Sequence, residues 1–273
     1  MSASKNFNHY QYRAFLFKYP IFIRLIHLWN WIILLRNWHL RTRVNQLLSG
    51  VSAKKVMDLG SGDGQYLFYV ARNFSQHSLR GIDRSAQNVQ FCNHHLGEAI
   101  CQQLDLDHEE LPTGQDVVFL IAVLQYIVHP QKVLNSIADS LKPNGKLLIY
   151  VPINGKVVLP FYNQLRDQFD HYEKAQDRKR VYTEELLYNQ LESSGLTITH
   201  QEYCIGSLGI LSNELYNLVL ALFSWHNNII YQVLIMYLVL HPLIPLLLLL
   251  NALDRLIPKS TGNGLLVEVE RKE

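Results

Sequence analysis

The feature that most constrains this chain is the stretch Val56-Met57-Asp58-Leu59-Gly60-Ser61-Gly62-Asp63-Gly64. A short apolar run ends in three glycines at alternate positions, and a helical pattern starts at Gln65. Glycines suit a turn that needs positive φ, or a backbone that a ligand approaches more closely than a Cβ would allow. The run therefore reads as a strand, a tight turn and a helix, which is the start of a parallel βαβ unit. An acid, Asp58, stands before the turn, and a second, Asp83, closes the next strand pattern, Ser78-Leu79-Arg80-Gly81-Ile82-Asp83. A carboxylate in that position can accept the hydroxyl hydrogens of a ribose.

The pattern repeats downstream. Residues 65–73 read as a helix, 78–83 as a strand and 86–96 as a helix. Residues 100–105 read as a weak strand, 116–122 as a strand, 130–141 as a helix and 146–151 as a strand after the turn Pro143-Asn144-Gly145. Strands alternating with helices predict a mostly parallel sheet covered on both faces. Thr183 opens a further helix ending near Gly195, and residues 196–203 and 264–270 alternate as two late strands. Residues 154–180 are polar and aromatic, and read as a loop and helix over the sheet.

The glycine pattern separates two nucleotide-binding classes. A dinucleotide site would carry G-x-G-x-x-G, but Leu67 stands near the place of the third glycine. Asp-x-Gly-x-Gly-x-Gly resembles instead the first motif of class I S-adenosylmethionine-dependent methyltransferases. Gly81-Ile82-Asp83 matches that family's ribose-binding acid. Ala122-Val123-Leu124-Gln125-Tyr126-Ile127 resembles its segment after the fourth strand, Leu141-Lys142-Pro143-Asn144-Gly145-Lys146-Leu147 its turn before the fifth, and Tyr182-Thr183-Glu184-Glu185-Leu186 the helix preceding its last hairpin. The resemblance covers about residues 54–199 and the final strand. It implies a seven-strand Rossmann-like α/β sheet ending in an antiparallel hairpin, with S-adenosyl-L-methionine as cofactor. It also implies a cofactor set of Asp58, Gly60, Ser61, Gly62, Gly64, Asp83 and Ala122, plus an adenine-binding acid after the third strand. Asp105 and Asp107 compete for that last role, and Asp105 is favoured.

In that chemistry the methyl group is already electrophilic, so positioning can supply much of the catalysis. A hydroxyl acceptor would still gain from a general base, for which His129, His171 and Tyr172 are the candidates by topology. The family's nucleic-acid amino-methylating enzymes usually carry N/D-P-P-Y/F after strand four, where this chain has Ile121-Ala122-Val123-Leu124. With a formal net charge of +2 and balanced signs, no nucleic-acid partner is expected. The three cysteines lack any C-x-x-C spacing and read as reduced thiols. No metal centre is expected.

Two apolar regions flank the sheet. Residues 15–40 are rich in aromatic and aliphatic side chains and read as one or two helices with a wide apolar face. Between the last two strands, residues 229–250 carry no formally charged residue and end in five leucines, about the length of a bilayer span. The two strands of one sheet require the chain to return to the side it left, which rules out a single crossing. The organisation expected is N-terminal helices over 1–50, a methyltransferase domain over 51–204 and 259–273, and an apolar helical hairpin over 205–258. That hairpin is a lid, a subunit interface or a membrane-contacting element. The expected function is methyl transfer to a hydrophobic small molecule (a lipid, prenyl compound or aromatic), in the cytoplasm at the inner face of a membrane. The alternatives are a membrane-anchored enzyme acting on a polar metabolite or sugar, and a cofactor-binding scaffold without turnover.

Overall fold

The computed structural model of the chain describes residues 18–97, 100–153, 155–164, 178–225 and 228–271. Two helices come first, α1 (Pro20–Ile33) and α2 (Leu35–Leu48), divided at Leu34, whose backbone is extended. The alternating core follows: β1 (Lys55–Leu59), α3 (Gln65–Asn73), β2 (Ser78–Asp83), α4 (Ala86–Leu96), β3 (Cys101–Gln103), β4 (Gln115–Ile121), α5 (Pro130–Ser140) and β5 (Leu141–Pro152). Helix α6 (Glu184–Ser193) precedes β6 (Leu196–Tyr203). Then come α7 (Ser207–Trp225), α8 (Ile229–Ile235), a π-helical turn Met236–Leu240, α9 (His241–Leu256) and β7 (Gly264–Arg271).

The seven strands form one sheet in the order β3-β2-β1-β4-β5-β7-β6. All neighbours are parallel except β7, which is antiparallel to both β5 and β6. This is the Rossmann-like α/β sheet with a terminal hairpin that the resemblance implied. Its strands sort their side chains by the two-residue period. Met57, Val118, Leu120, Leu147, Ile149 and Val267 face α5 and α6, where Val133, Leu134, Ile137, Leu187 and Leu191 pack. Val56, Val117, Phe119, Leu148, Tyr150 and Leu266 face the other way, onto α3 and onto Leu40, Val44, Leu47 and Leu48 of α2. Helix α2 is thus part of the sheet's own core.

Helix α1 behaves differently. It buries Ile23, His27 and Ile33, while Ile21, Phe22, Leu25, Ile26, Leu28 and Ile32 are exposed. Its inner end joins the late helices in a third apolar cluster of Ile33, Val219, Leu240 and Leu247, flanked by Trp29, Leu215 and Tyr216. Three buried polar residues fasten the α7–α9 hairpin to the domain. Asp254 accepts from the backbone N–H groups of Gly206 (3.1 Å) and Gly209 (2.9 Å), at the start of α7. Asn251 donates to the Ile33 carbonyl that ends α1. Glu214 accepts from Val158 N (2.9 Å) and Leu159 N (2.8 Å).

Two expectations need correction. Strand β5 starts at Leu141 rather than Lys146, because Gln115 of β4 pairs with Leu141 across a register shift. The cysteines are also not all thiols: Cys92 and Cys101 form a disulfide pair with Cα atoms 6.3 Å apart, and Cys204 is free and buried. The pairing arises because α4 turns back along β3, a proximity that the sequence spacing hides.

Candidate active site

The site grows from the C-terminal ends of β1, β2 and β4, the edge at which open α/β sheets bind ligands. After β1 the chain turns through Gly60 (φ +69°), Gly62 (φ +55°) and Gly64 (φ +81°), all left-handed. A Cβ at Gly60 would stand 2.4 Å from Val123 Cγ2, so that position requires glycine for space as well as for φ. A Cβ at Gly62 would meet nothing within 4 Å, so the turn presents bare backbone to open space there. Gly60 N and Ser61 N donate to the Ile82 carbonyl at 2.7 and 2.9 Å, which ties the turn to β2.

Asp83 locks that arrangement from below. Its Oδ2 accepts from Gly62 N at 2.8 Å, and its Oδ1 from Ser85 N (2.8 Å) and Asn88 Nδ2 (3.2 Å). Asp58 is buried, and its carboxyl is pushed well above the usual carboxylate range by burial first, then by the charges of Asp83 and Asp63. Asp58 Oδ2, Ser61 Oγ and Gln65 Nε2 are buried without a hydrogen-bond partner among the described residues. Unpartnered polar atoms beside a bare turn suit a ligand that carries an amine and hydroxyls.

Ala122 ends β4 with φ +57°, a left-handed backbone on a residue with a side chain. Its N–H donates to the Tyr150 carbonyl and its own carbonyl accepts from Gln125 Nε2. Strain of this kind clusters at ligand sites, and here it turns the chain sharply at the sheet edge. Asp105 and Asp107 divide their work. Asp107 Oδ1 and Oδ2 accept from His129 N (2.7 Å) and Val128 N (3.0 Å), so Asp107 anchors the loop after β4. Asp105 is half exposed; partial burial works against its ionisation, but the Asp107 N–H and His108 hold its carboxyl below the usual value. His129 is exposed before α5, in an open cleft with Pro130, Gln131, Lys132 and Gln190. His171 and Tyr172 lie outside the described residues.

Sequence reasoning missed the contribution of α1. His27 Nε2 stands 3.2 Å from Asp63 Oδ2 of the glycine turn, and the His27 ring packs on Phe68 with centroids 5.1 Å apart. Asn30 Nδ2 donates to Gln65 Oε1 at 3.0 Å, and Trp31 packs against Tyr66 and Tyr69. Tyr66 donates to Asn37 Oδ1 at 2.9 Å; burial raises its phenol to about 12, against the opposing pull of Arg36. The available signal was polar, hydrogen-bonding His27 and Asn30 at helical spacing within an otherwise apolar segment. A second cluster brings ligand atoms of His39, Glu202 and Cys204 within 4.8 Å of one another. Arg43 acts on Glu202; burial pushes the Cys204 thiol up, and Cys204 feels Glu202 and Asp254 as well as Lys259 and Arg255.

Residues 57–147 match a family model described as a methyltransferase domain. Among curated proteins, the chain is 27% identical over 104 residues to a trans-aconitate 2-methyltransferase of Afipia carboxidovorans, covering 38% of this chain and 41% of that protein. It is 30% identical over 133 residues to a mitochondrial ubiquinone biosynthesis O-methyltransferase of Schizosaccharomyces pombe, covering 46% of each. The aligned region thus spans less than half the length of these relatives. Among solved structures, phosphoethanolamine N-methyltransferase 2 of Haemonchus contortus, in complex with phosphomonomethylethanolamine and S-adenosylhomocysteine, superposes with a TM-score of 0.58 at 18% identity, over 86% of this chain and 53% of that one. The [4+2]-cyclase SpnF superposes at 0.53 with 16% identity, over 84% and 80%. That likeness shows a shared fold, which by itself leaves the reaction open. The match over residues 57–147 shows a methyltransferase domain there, and the glycine turn and the two acids within it are those in which the chain resembles the class I S-adenosylmethionine-dependent methyltransferases.

Proposed function

We propose that this protein transfers a methyl group from S-adenosylmethionine to a hydrophobic small molecule, a lipid, prenyl compound or aromatic, at a membrane surface. One observation carries the reading: an apolar helical hairpin packs on α1, the helix that contacts the cofactor turn, and leaves most of its own apolar stretch unburied. Within residues 230–256 the most apolar 18-residue stretch has a mean hydropathy of 2.5, and only 11% of it is buried. Leu246, Leu249 and Leu253 of α9 are exposed, as are Ile230, Val233 and Leu234 of α8. An apolar area of that extent marks a lipid or partner contact. The hairpin starts and ends on one sheet, so it enters and leaves from the same side. Glu214, Asn251 and Asp254 turn inward to backbone groups, which supports a hairpin rooted in the protein with its outer half turned to lipid.

The sulfonium of S-adenosylmethionine supplies an activated methyl group. The chain's own residues bind and orient. The glycine turn admits the ligand to the backbone, and Asp58 Oδ2 with Ser61 Oγ offers buried partners for its amine and carboxylate end. Asp83 keeps a lone pair on Oδ2 for a ribose hydroxyl after accepting from Gly62. Asp105 serves the adenine amine: it is half exposed and its partners are its own near neighbours, whereas Asp107 ties down the loop after β4. His129, His171 and Tyr172 remain the candidate bases for a hydroxyl acceptor.

The names of the relatives support two acceptor classes. The ubiquinone biosynthesis O-methyltransferases favour a prenylated aromatic, and the trans-aconitate 2-methyltransferases a polar acid. The exposed hairpin supports the first. The test is incubation of purified protein with methyl-labelled S-adenosylmethionine and a total cell extract, followed by partition between organic and aqueous phases. Label in the organic phase is expected. Label only in aqueous acids would shift the reading to a polar acceptor, and none in either phase would favour a scaffold without turnover.

A further inference from the structure

Resting on the cofactor site just described, a second partner is legible on α1. Before Asp58 the chain has no Asp or Glu, whereas Lys18, Arg24, Arg36, Arg41 and Arg43 fall within α1, α2 or just before them. A short stretch of one sign in a chain of nearly balanced charge is an electrostatic footprint. Lys18, Arg24 and Arg41 are exposed. Arg255, at the root of the hairpin, is exposed too and donates to Thr42 Oγ1 at 2.6 Å, which places another cation beside α2 and next to the exposed Leu256 and Ile257.

The apolar component is equally specific. Ile21, Leu25, Leu28 and Ile32 recur at intervals of four, three and four, so they form one stripe along α1, and each is between 39% and 56% exposed. The helix uses the opposite stripe, Ile23, His27 and Asn30, to sit on the glycine turn and α3. A helix with an apolar face in solvent, the exposed Arg24 on it and Lys18 just before it has the make-up of an element lying in a lipid interface. Apolar burial provides part of the binding, and the one-sided charge selects an anionic surface.

We propose that α1 is an interfacial helix that docks on an anionic lipid leaflet, and that docking strengthens cofactor binding because the same helix covers the glycine turn. The two faces of α1 make the coupling physical. Lipid holds the outer stripe; on the inner stripe Asn30 donates to Gln65, and His27 stands 3.2 Å from Asp63 and packs on Phe68. Any ligand that favours the docked helix favours the other ligand by the same factor.

The experiment uses the full chain with vesicles of phosphatidylcholine alone or with phosphatidylglycerol added. Co-sedimentation is measured without cofactor, and S-adenosylmethionine affinity by calorimetry with and without vesicles. Sedimentation with the anionic vesicles that weakens at high salt is expected, together with an affinity for S-adenosylmethionine at least about fivefold tighter on them. The double variant Leu25→Glu/Leu28→Glu, altered only on the outer stripe, should lose both effects and keep the vesicle-free affinity. Equal binding to neutral vesicles would overturn the anionic assignment, and unchanged affinity on anionic vesicles would overturn the coupling. Undiminished sedimentation of the double variant would transfer the docking to the hairpin and overturn the role of α1. Vesicle binding is read without any methyl acceptor, so failure to find an acceptor refutes the proposed function and leaves this result standing.

Discussion

The Asp83 carboxylate accepts a hydrogen bond from the Gly62 backbone N–H at 2.8 Å, so the end of β2 holds the turn that follows β1. The residue expected to meet a ribose is therefore also a clamp on the turn that meets the rest of the ligand. Hydrogen bonds to a charged group contribute roughly 1.5–3 kcal/mol. Asp83→Ala should weaken S-adenosylmethionine binding by about tenfold or more, and Asp83→Asn, which keeps an acceptor, by less. Calorimetric titration checks this, and equal affinity for the alanine variant would remove Asp83 from the site.

Gly60 and Gly62 should respond unequally to alanine. Both are left-handed, which costs roughly 1–2 kcal/mol for a residue with a Cβ. Only at Gly60 does the new Cβ also collide with Val123, at 2.4 Å. Overpacking adds about 1–3 kcal/mol there. Denaturant unfolding should show the larger loss for Gly60→Ala and partial recovery in Gly60→Ala/Val123→Ala. Equal losses for the two single variants would contradict the packing of Val123 on the turn.

Asp58 predicts a pH dependence. Its folded-state pKa is raised, by burial and then by Asp83 and Asp63. A raised acid binds its proton more tightly folded than unfolded, so its contribution is full below the ordinary carboxylate pKa near 3.8. That contribution is lost as pH climbs through the raised value. Above that window the wild type carries the penalty and Asp58→Asn does not. The variant should therefore melt higher than wild type at neutral pH, with the gap closing towards pH 4, while binding cofactor more weakly. Thermal melts from pH 4 to 8 test the sign, and a gap that widens on acidification would refute it.

Asp254 should govern the hairpin rather than the sheet. It is buried, accepts from Gly206 N and Gly209 N, and lies 3.3 Å from the buried Lys259 ammonium. Asp254→Ala removes the acceptor of two buried N–H groups and leaves Lys259 only the carbonyls of residues 254 and 257, a loss of about 3 kcal/mol. Limited proteolysis should then cut within residues 205–258 well before the sheet core. Uniform loss of the whole fold would show that the hairpin and sheet unfold as one unit.

Much of the fold was legible along the chain because its signals are local. Helix α3 begins at Gln65 where the glycines stop, and α6 begins after Thr183, whose Oγ1 accepts from Leu186 N as a helix cap. Strands β2 and β6 span the residues expected of them, 78–83 and 196–203. Asp58, Gly60, Gly62 and Asp83 could be read at sequence level because strand, turn and helix lie within thirty residues. Signals of longer range were out of reach. Of the two aspartates after β3, Asp105 meets only near neighbours, Asp107 N and His108, whereas Asp107 bonds Val128 and His129 about twenty positions away. Likewise, the sulfurs of Cys92 and Cys101 meet only when α4 folds along β3.

The amino-acid order by itself determined the alternating sheet, the glycine turn and the presence of two apolar segments, since periodicity and backbone preference act over a few residues. Only the tertiary structure decided what those segments touch. It places His27 beside Asp63, aims Glu214 at the Val158 and Leu159 amides, and leaves the outer stripe of α1 bare. Which side of an apolar helix is buried depends on neighbours brought from elsewhere in the chain, and no local pattern encodes that choice.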